Sequence, residues 1–402
     1  MKLRHDSPPH GLLRGPRHAR WPRCRQSPWL RHVSLLRLAI ARAGRRSRRP
    51  GTRRHAVRIL VLGATGYVGS RLVPHLLDRG HDVVAASSSV PDPDRFGWDE
   101  RVEAIRCDVT DEASVDAAVS DVDAVVYLVH SLQRSDFTDR DRLGAEHVAA
   151  AARHHRVRRL VYLSGLVPDV AEDELSAHIA SRLEVERILL GASDDAAALR
   201  AGVVIGAGST SFEIIRQIAT LFVVQPVPTW MNRNVQPIAV SDVLRAIGEA
   251  LEDDGPRGAV DIGGPDVITY PRLMRACSRG AGLSRLRLPA PLVPTSLVGL
   301  GAALATTAPF HTVTSLIESL HHDMVCRPGH TWVPRDGGHL LGLGEAIELA
   351  TDPTYAGPEA SLPSDPDWAR PHRLLDALPL PATTRAAARL ALHRVRTVLT
   401  DT

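Results

Sequence analysis

The stretch Val57–Ser70 reads VRILVLGATGYVGS, and its reading decides the fold. Arg58–Leu62 is a short apolar run that ends in glycine, the pattern of a buried strand. Val68–Arg79 has helical spacing. Between them Gly63, Gly66 and Gly69 follow a GxxGxxG spacing. Gly63 allows a tight turn, Gly66 lets backbone approach a pyrophosphate, and Gly69 permits close helix–strand packing. The helix start then offers unpaired N–H groups and a favourable dipole to phosphates. With Thr65, Tyr67 and Val68, these glycines form the expected dinucleotide cradle.

The alternation continues outward from this loop. Strands are expected at His81–Ser87, Val102–Arg106, Ala124–Val129, Arg159–Ser164 and Ala197–Ile205. Helices are expected at Ala113–Val119, Arg142–His154 and Leu183–Leu190. Such spacing calls for a parallel sheet covered on both faces. The expected fold is therefore α/β, a Rossmann-type doubly wound parallel sheet with a smaller C-terminal substrate-side lobe. After Gly206 the rhythm changes. Helices are expected at Phe212–Phe222, Val240–Leu251 and Pro271–Gly280, with short strands at Gln236–Ile238 and Gly258–Ile262. Leu288–Phe310 carries no charge but has four prolines, which favours a buried or lid helix over a membrane span. Four segments result: a basic leader (1–56), a dinucleotide-binding core (57–206), substrate-side elements (207–327) and a C-terminal extension (328–402).

The chain has 402 residues and a net charge of +4. Residues 1–56 hold fifteen arginines and one lysine against a single acid, Asp6, a charge of +15 that leaves −11 for the remainder. The leader reads as a disordered basic arm, a targeting peptide or an over-long gene start. We favour the last, because valine can be encoded by an alternative start codon and Val57 opens the first strand. The acidic body argues against a nucleic-acid partner. No membrane partner is expected, and the oligomeric state is not legible. Cys24, Cys107, Cys277 and Cys326 show neither metal spacing nor a disulfide framework, which fits a cytoplasmic protein without a metal site.

The second strand ends Ala85-Ala86-Ser87-Ser88-Ser89, with no acid to repel a 2′-phosphate. Hydroxyls of Ser87 and Ser88 could donate to one. NADP is therefore expected ahead of NAD, with Arg71 or Arg95 as counter-charge, unless Arg71 is only a solvated helix residue. Asp108 and Val109 follow the third strand, where Asp108 could accept from the adenine amino group or merely cap a helix. Val129, His130 and Ser131 end the fourth strand and should flank the cofactor.

Further motifs carry a resemblance. They are Gly63–Gly69, Tyr127–Ser131, Tyr162–Leu166, His178–Arg182, Leu199–Gly206, Gly208–Phe212, Gln236–Asp242 and Gly263–Asp266. Over roughly 57–327 the chain resembles the short-chain dehydrogenase/reductase superfamily, in its extended, atypical branch of NmrA-like NAD(P)-binding proteins, nearest an uncharacterised bacterial group. The resemblance implies a catalytic serine at Ser164 and a Tyr-x-x-x-Lys pair. Here His178 and Arg182 stand at i and i+4 in place of that pair, and Tyr162 lies inside a strand. Arg182 could hold the ribose, and His178 could exchange a proton near neutral pH. Alternatively the catalytic pair is lost and the helix only packs.

The resemblance implies an NAD(P)-dependent oxidoreductase of unknown substrate, and a mostly apolar lining would favour a hydrophobic one. Two other functions compete: a non-catalytic dinucleotide sensor or assembly factor, and a sugar-nucleotide-modifying enzyme. The substrate side is expected from 206–327, with Ser209, Ser211, Phe212, Trp230 and Gln236 near the ligand.

Overall fold

The computed structural model describes residues 56–130, 137–291, 293–357 and 359–400. The leader reading falls on residues outside this set, apart from Ala56. Seven strands form the central sheet: β1 Arg58–Leu62, β2 Asp82–Ser87, β3 Glu103–Arg106, β4 Ala124–Tyr127, β5 Arg159–Gly165, β6 Ala197–Ala201 and β7 Gly258–Ile262. Their order is β7-β6-β5-β4-β1-β2-β3, and every neighbouring pair is parallel. The chain runs outward from β1 to β3, then returns to β4 on the other side of β1. That reversal opens a crevice at the carboxyl ends of β1 and β4.

The first core helices are α1 Tyr67–Asp78, α2 Glu112–Val119, α3 Phe137–His154 and α4 Ala177–Leu190. They are followed by α5 Thr210–Leu221, α6 Val240–Ala250 and α7 Tyr270–Gly280. Strand alternation sorts their contacts. Ile59 and Val61 pack with Leu72 and Leu76 of α1 and Val243 and Ile247 of α6. Leu60 and Leu62 face the opposite layer, with Val115 of α2, Val148 of α3 and Leu189 of α4. Both faces are dry, which is why β1 reads as continuously apolar. Each fully buried Leu, Ile or Val contributes about 1.5–3 kcal/mol.

The sixth strand is shorter than its sequence suggests. It leaves the sheet at Gly202, where an added Cβ would lie 2.6 Å from the Gln236 carbonyl oxygen. Val204–Ile205 then pair with Ile238–Ala239 instead. The uncharged run after Leu288 also divides. Leu286–Pro289 pairs in parallel with Val224–Val227, and two short helices follow, α8 Thr295–Ala305 and α9 Phe310–Glu318. Among the described residues no helix is long and apolar enough to cross a membrane. The chain continues with α10 Leu343–Thr351 and α11 Ala382–Thr400.

The C-terminal segment is woven into the core. Trp332 is buried and donates its indole N–H to Glu249 at 3.0 Å. Further on, Asp365 accepts from the Arg71 guanidinium at 2.8 Å, and Ser364 Oγ lies 2.7 Å from Ser70 Oγ. This corrects the reading of Arg71 as a solvated residue or a phosphate counter-charge. Its side chain is 4 % exposed and its ion-pair partner 6 %, and it also donates to the Tyr67 and Ala207 carbonyls.

Candidate active site

The glycine loop is built as a phosphate cradle. Gly63 has φ +83°, a conformation that L side chains rarely adopt. Gly66 begins α1 without any side-chain cap. The first helical turn closes through Ser70 N–H to the Gly66 carbonyl at 2.9 Å. The N–H groups of Tyr67, Val68 and Gly69 therefore point forward without carbonyl partners, as an N-terminal anion site requires. Gly69 lies so close to the loop that a Cβ would sit 2.3 Å from the Gly63 oxygen.

A single cavity of about 920 Å³ runs from this loop across the carboxyl ends of β2, β3, β4 and β5. It takes in the described residues of the expected cofactor cradle and catalytic group. Gly63, Thr65, Gly66, Tyr67, Val68 and Gly69 form its near end, with Ser87 and Ser88 beside them. Thr65 Oγ1 and Ser87 Oγ are 2.9 Å apart. Asp108 and Val109 line the adjoining wall. Asp108 does not cap α2; that is Asp111, which accepts from the Ser114 N–H. Instead, Asp108 accepts from the Thr110 hydroxyl and N–H at 2.8 and 3.0 Å, and these bonds lower its pKa. Val129 and His130 line the middle of the cavity. Ser131 lies outside the described residues.

Ser164, His178 and Arg182 meet on the far side of the cradle. Strand β5 delivers Ser164, whose buried Oγ has no hydrogen bond of ordinary geometry. Helix α4 delivers the other two, and Ser176 caps it by accepting from the Ile179 N–H. One turn beyond Arg182, Glu186 is buried and pairs bidentately with Arg200 of β6 at 2.5–3.1 Å. His178, Arg182 and Glu186 thus fall at i, i+4 and i+8. The last anchors the helix to the sheet while the first two face the cavity. The Arg182 Nε is buried without a partner.

Burial, reinforced by Arg182 and His130, pushes the His178 imidazole down to about 3. The ring of His130 keeps contact with the cavity, and the protein around it, with Arg182, lowers its pKa too. At that value the His178 ring is neutral at pH 7. The His178 ring therefore departs from the expected exchange of a proton near neutral pH, because a cation beside a desolvated imidazole opposes protonation.

Sequence reasoning missed two cations. Arg106 of β3 pairs in register with Ser87 and donates from Nε to the Ser88 carbonyl at 3.1 Å. Arg140 of α3 lines the cavity with a buried, unpartnered Nε near Asp108. The register of two parallel strands and the return of a helix placed them there, and neither is visible in local sequence. Arg95 does not line the cavity.

Beyond Ser164 the cavity becomes apolar. Its walls there include Ile214 and Ile218 of α5, Met274 of α7 and Val313, Leu316 and Ile317 from α9. Ser209 and Ser211 line it as expected. Phe212, Trp230 and Gln236 do not. Phe212 is core, Trp230 donates to the Val293 carbonyl at 3.3 Å, and Gln236 ties Gly264 to Cys326. Ser364 and Pro366 also reach the cavity, so the substrate side is not built from 206–327 alone.

Comparison with known proteins adds to this geometry. The family described as "NAD dependent epimerase/dehydratase family" matches residues 59–263. The mitochondrial NADH dehydrogenase [ubiquinone] 1 alpha subcomplex subunit 9 of Arabidopsis thaliana is 27 % identical over 256 residues, 61 % of this chain and 62 % of that protein. A 2-alkyl-3-oxoalkanoate reductase of Stenotrophomonas maltophilia is 31 % identical over 159 residues, 34 % of this chain and 47 % of its own length. The chain thus spans less than two thirds of either relative. Among solved structures, the UDP-glucose 4-epimerase of Thermotoga maritima superposes with a TM-score of 0.52 at 16 % identity, covering 73 % of this chain and 97 % of that one. At that identity the likeness concerns the fold.

Proposed function

The chain belongs to the NAD dependent epimerase/dehydratase family, and from that premise we propose that it is an NAD(P)-dependent oxidoreductase for an apolar carbonyl compound. One observation carries this reading: a single cavity joins the glycine cradle, the Ser164–His178–Arg182 group and an apolar chamber. The residues suit the cofactor. The cradle has free N–H groups where phosphates would bind, and Ser164, Arg182 and Arg140, which line the cavity, each hold a buried polar atom without a hydrogen-bond partner. When bound, the nicotinamide would supply or accept a hydride.

The protein's own groups would act on the substrate oxygen. Ser164 Oγ can donate to it and fix its direction. A neutral His178 keeps one N–H for the same oxygen. Arg182 places a permanent positive charge beside it, which favours negative charge building up there. That charge in turn raises the proton affinity of the imidazole, so His178 can take a proton from water and pass it on. No lysine follows Lys2, so no lysine shares this work.

The test is NADPH oxidation against long-chain ketones, enones and quinones. Arg182→Ala is expected to weaken cofactor binding ten-fold or more, as loss of charge-assisted contacts of about 1.5–3 kcal/mol each predicts. His178→Ala should leave cofactor binding nearly unchanged and lower turnover on the order of 10²-fold. Because the His178 imidazole is held neutral, the rate should show no limb from it between about pH 5 and 8. Unchanged turnover in both His178→Ala and Ser164→Ala would remove the catalytic assignment. Tight cofactor binding without any turnover would favour the sensor reading instead.

For cofactor choice we infer NADPH ahead of NADH. The hydroxyls of Thr65, Ser87 and Ser88 and the neighbouring Arg106 support it, with no carboxylate at the strand end. Arg106→Glu is expected to reverse the preference in a fluorescence titration. A wild-type preference for NADH would refute this inference.

A further inference from the structure

Chain composition changes abruptly beside the cavity. Between Asp266 and Glu318 there is no acidic residue, whereas Arg272, Arg275, Arg279, Arg285 and Arg287 all fall there. From Leu288 to Ile317 there is no Asp, Glu, Lys or Arg at all. Helix α8 turns Ala302 and Ala303 inward onto Ile214 of α5. Outward it presents Leu297, Leu300 and Leu304, spaced i, i+3 and i+7 and 59, 45 and 58 % exposed. On the neighbouring strand pair Val223, Val224, Leu286 and Leu288 are exposed as well. Helix α11 bridges the two patches. Its Thr383 accepts from Arg285, and its Arg394 donates to the Ala303 carbonyl at 3.0 Å. Two exposed apolar patches tied together by one helix are more than the single scattered apolar residues of an ordinary exterior, and they point to a binding face.

Charge selects the occupant. Arg275 and Arg279 are exposed and have no carboxylate partner among the described residues. Both stand close enough to Arg287 to oppose its charge. This positive, apolar face sits on a body whose residues after 56 sum to −11. A second copy docking here across a two-fold axis would bring arginines against arginines. An anionic bilayer offers what the face lacks: acyl chains for the leucines and negative headgroups for the arginines. Leu297 adds a second link. It is exposed and also belongs to the cavity lining, so cavity wall and apolar patch share this residue.

We infer that the face made by Leu286–Leu288, the outer side of α8 and the arginines of α7 seats this protein on an anionic lipid surface, with Leu297, which also lines the cavity, turned toward the acyl chains. Seating does not depend on the oxidoreductase reading; entry of an apolar substrate from the bilayer does. This proposal departs from the sequence expectation of no membrane partner; surface seating needs no spanning segment.

The +15 leader would itself attract anionic vesicles, so the readout must be local. Hydrogen–deuterium exchange of the full chain is measured with phosphatidylcholine vesicles, with and without phosphatidylglycerol. Peptides covering 286–310 should slow at least ten-fold only where phosphatidylglycerol is present, and high salt should reverse the effect. Leu300→Glu combined with Leu304→Glu should abolish that protection while keeping the wild-type melting temperature and NADPH affinity. Should this variant fail to fold, Arg275→Ser with Arg279→Ser, at exposed positions, should weaken protection by a similar factor. Protection confined to residues 1–56, or equal in the variants, overturns the inference. So does protection that grows with protein concentration in the absence of vesicles, which would indicate a second copy.

Discussion

A Gly69→Ala variant is expected to lose binding of both NADH and NADPH by about 100-fold or more. The added Cβ would lie 2.3 Å from the Gly63 oxygen and 2.8 Å from the Ala64 Cα. Both are backbone atoms on a turn that the β1–β2 pairing already fixes through Gly63 N–H and Ala64 N–H to the Ala86 carbonyl, at 3.1 and 3.0 Å. Neither can yield, so α1 must move away and its first-turn N–H groups lose their aim at the phosphates. Two charge-assisted hydrogen bonds lost at about 1.5–3 kcal/mol each account for a factor of that size. Gly66→Ala is the informative contrast, because its Cβ meets only the Gly63 oxygen, at 3.2 Å. Fluorescence titration checks both, with circular dichroism to show that the variants fold. An affinity within ten-fold of wild type for Gly69→Ala would mean that the cradle is not where the cofactor binds.

The second large effect is on stability. Asp365→Ala is expected to cost about 3–5 kcal/mol, because it strands the buried Arg71 guanidinium without its counter-ion. A fall in melting temperature on the order of 10 °C follows for a chain of this size. Asp365 does more than neutralise a charge: its other oxygen accepts from the Leu362 N–H at 2.8 Å and so shapes the turn that carries Ser364. Replacing both partners together, Arg71→Met with Asp365→Leu, should recover most of the loss, since a paired apolar replacement leaves no charge uncompensated. A thermal melt decides it. A shift under about 2 °C in the single variant would show that water reaches the guanidinium and that the pairing matters little.

What could be read in the sequence was what is local. The strand at Arg58–Leu62, the glycine loop and the parallel alternation are each encoded within a few residues, by period and by glycine spacing. The cavity residues at the ends of β1 to β5, from Gly63 to Ser164, follow from strand ends, since a parallel sheet brings those ends together whatever lies between, and His178 and Arg182 follow from their i, i+4 spacing on one helix. Long-range pairing was not legible. Nothing near Arg71 announces Asp365, and nothing near Ser87 announces Arg106. The titration of His178 was misread for the same reason: an imidazole's pKa depends on what surrounds it, and the desolvating walls come from other segments. The sixth strand was drawn too long because Val204–Ile205 is as apolar as Ala197–Ala201, and only the approach of Gln236 to Gly202 breaks it.

The Arg71–Asp365 pair has a consequence in time. Its partners are 294 positions apart. At ribosomal speeds of about 5–20 residues per second, Arg71 emerges roughly 15–60 s before Asp365 is made. During that interval the nascent domain already has its β1–α1 unit but holds a guanidinium with no carboxylate to meet it. Such a domain is incomplete until residue 365 has been made, and it is a natural client for a chaperone at the ribosome exit. A transcript broken before codon 365 would yield chains that carry the whole cofactor cradle yet remain open at its back, prone to degradation rather than to partial function.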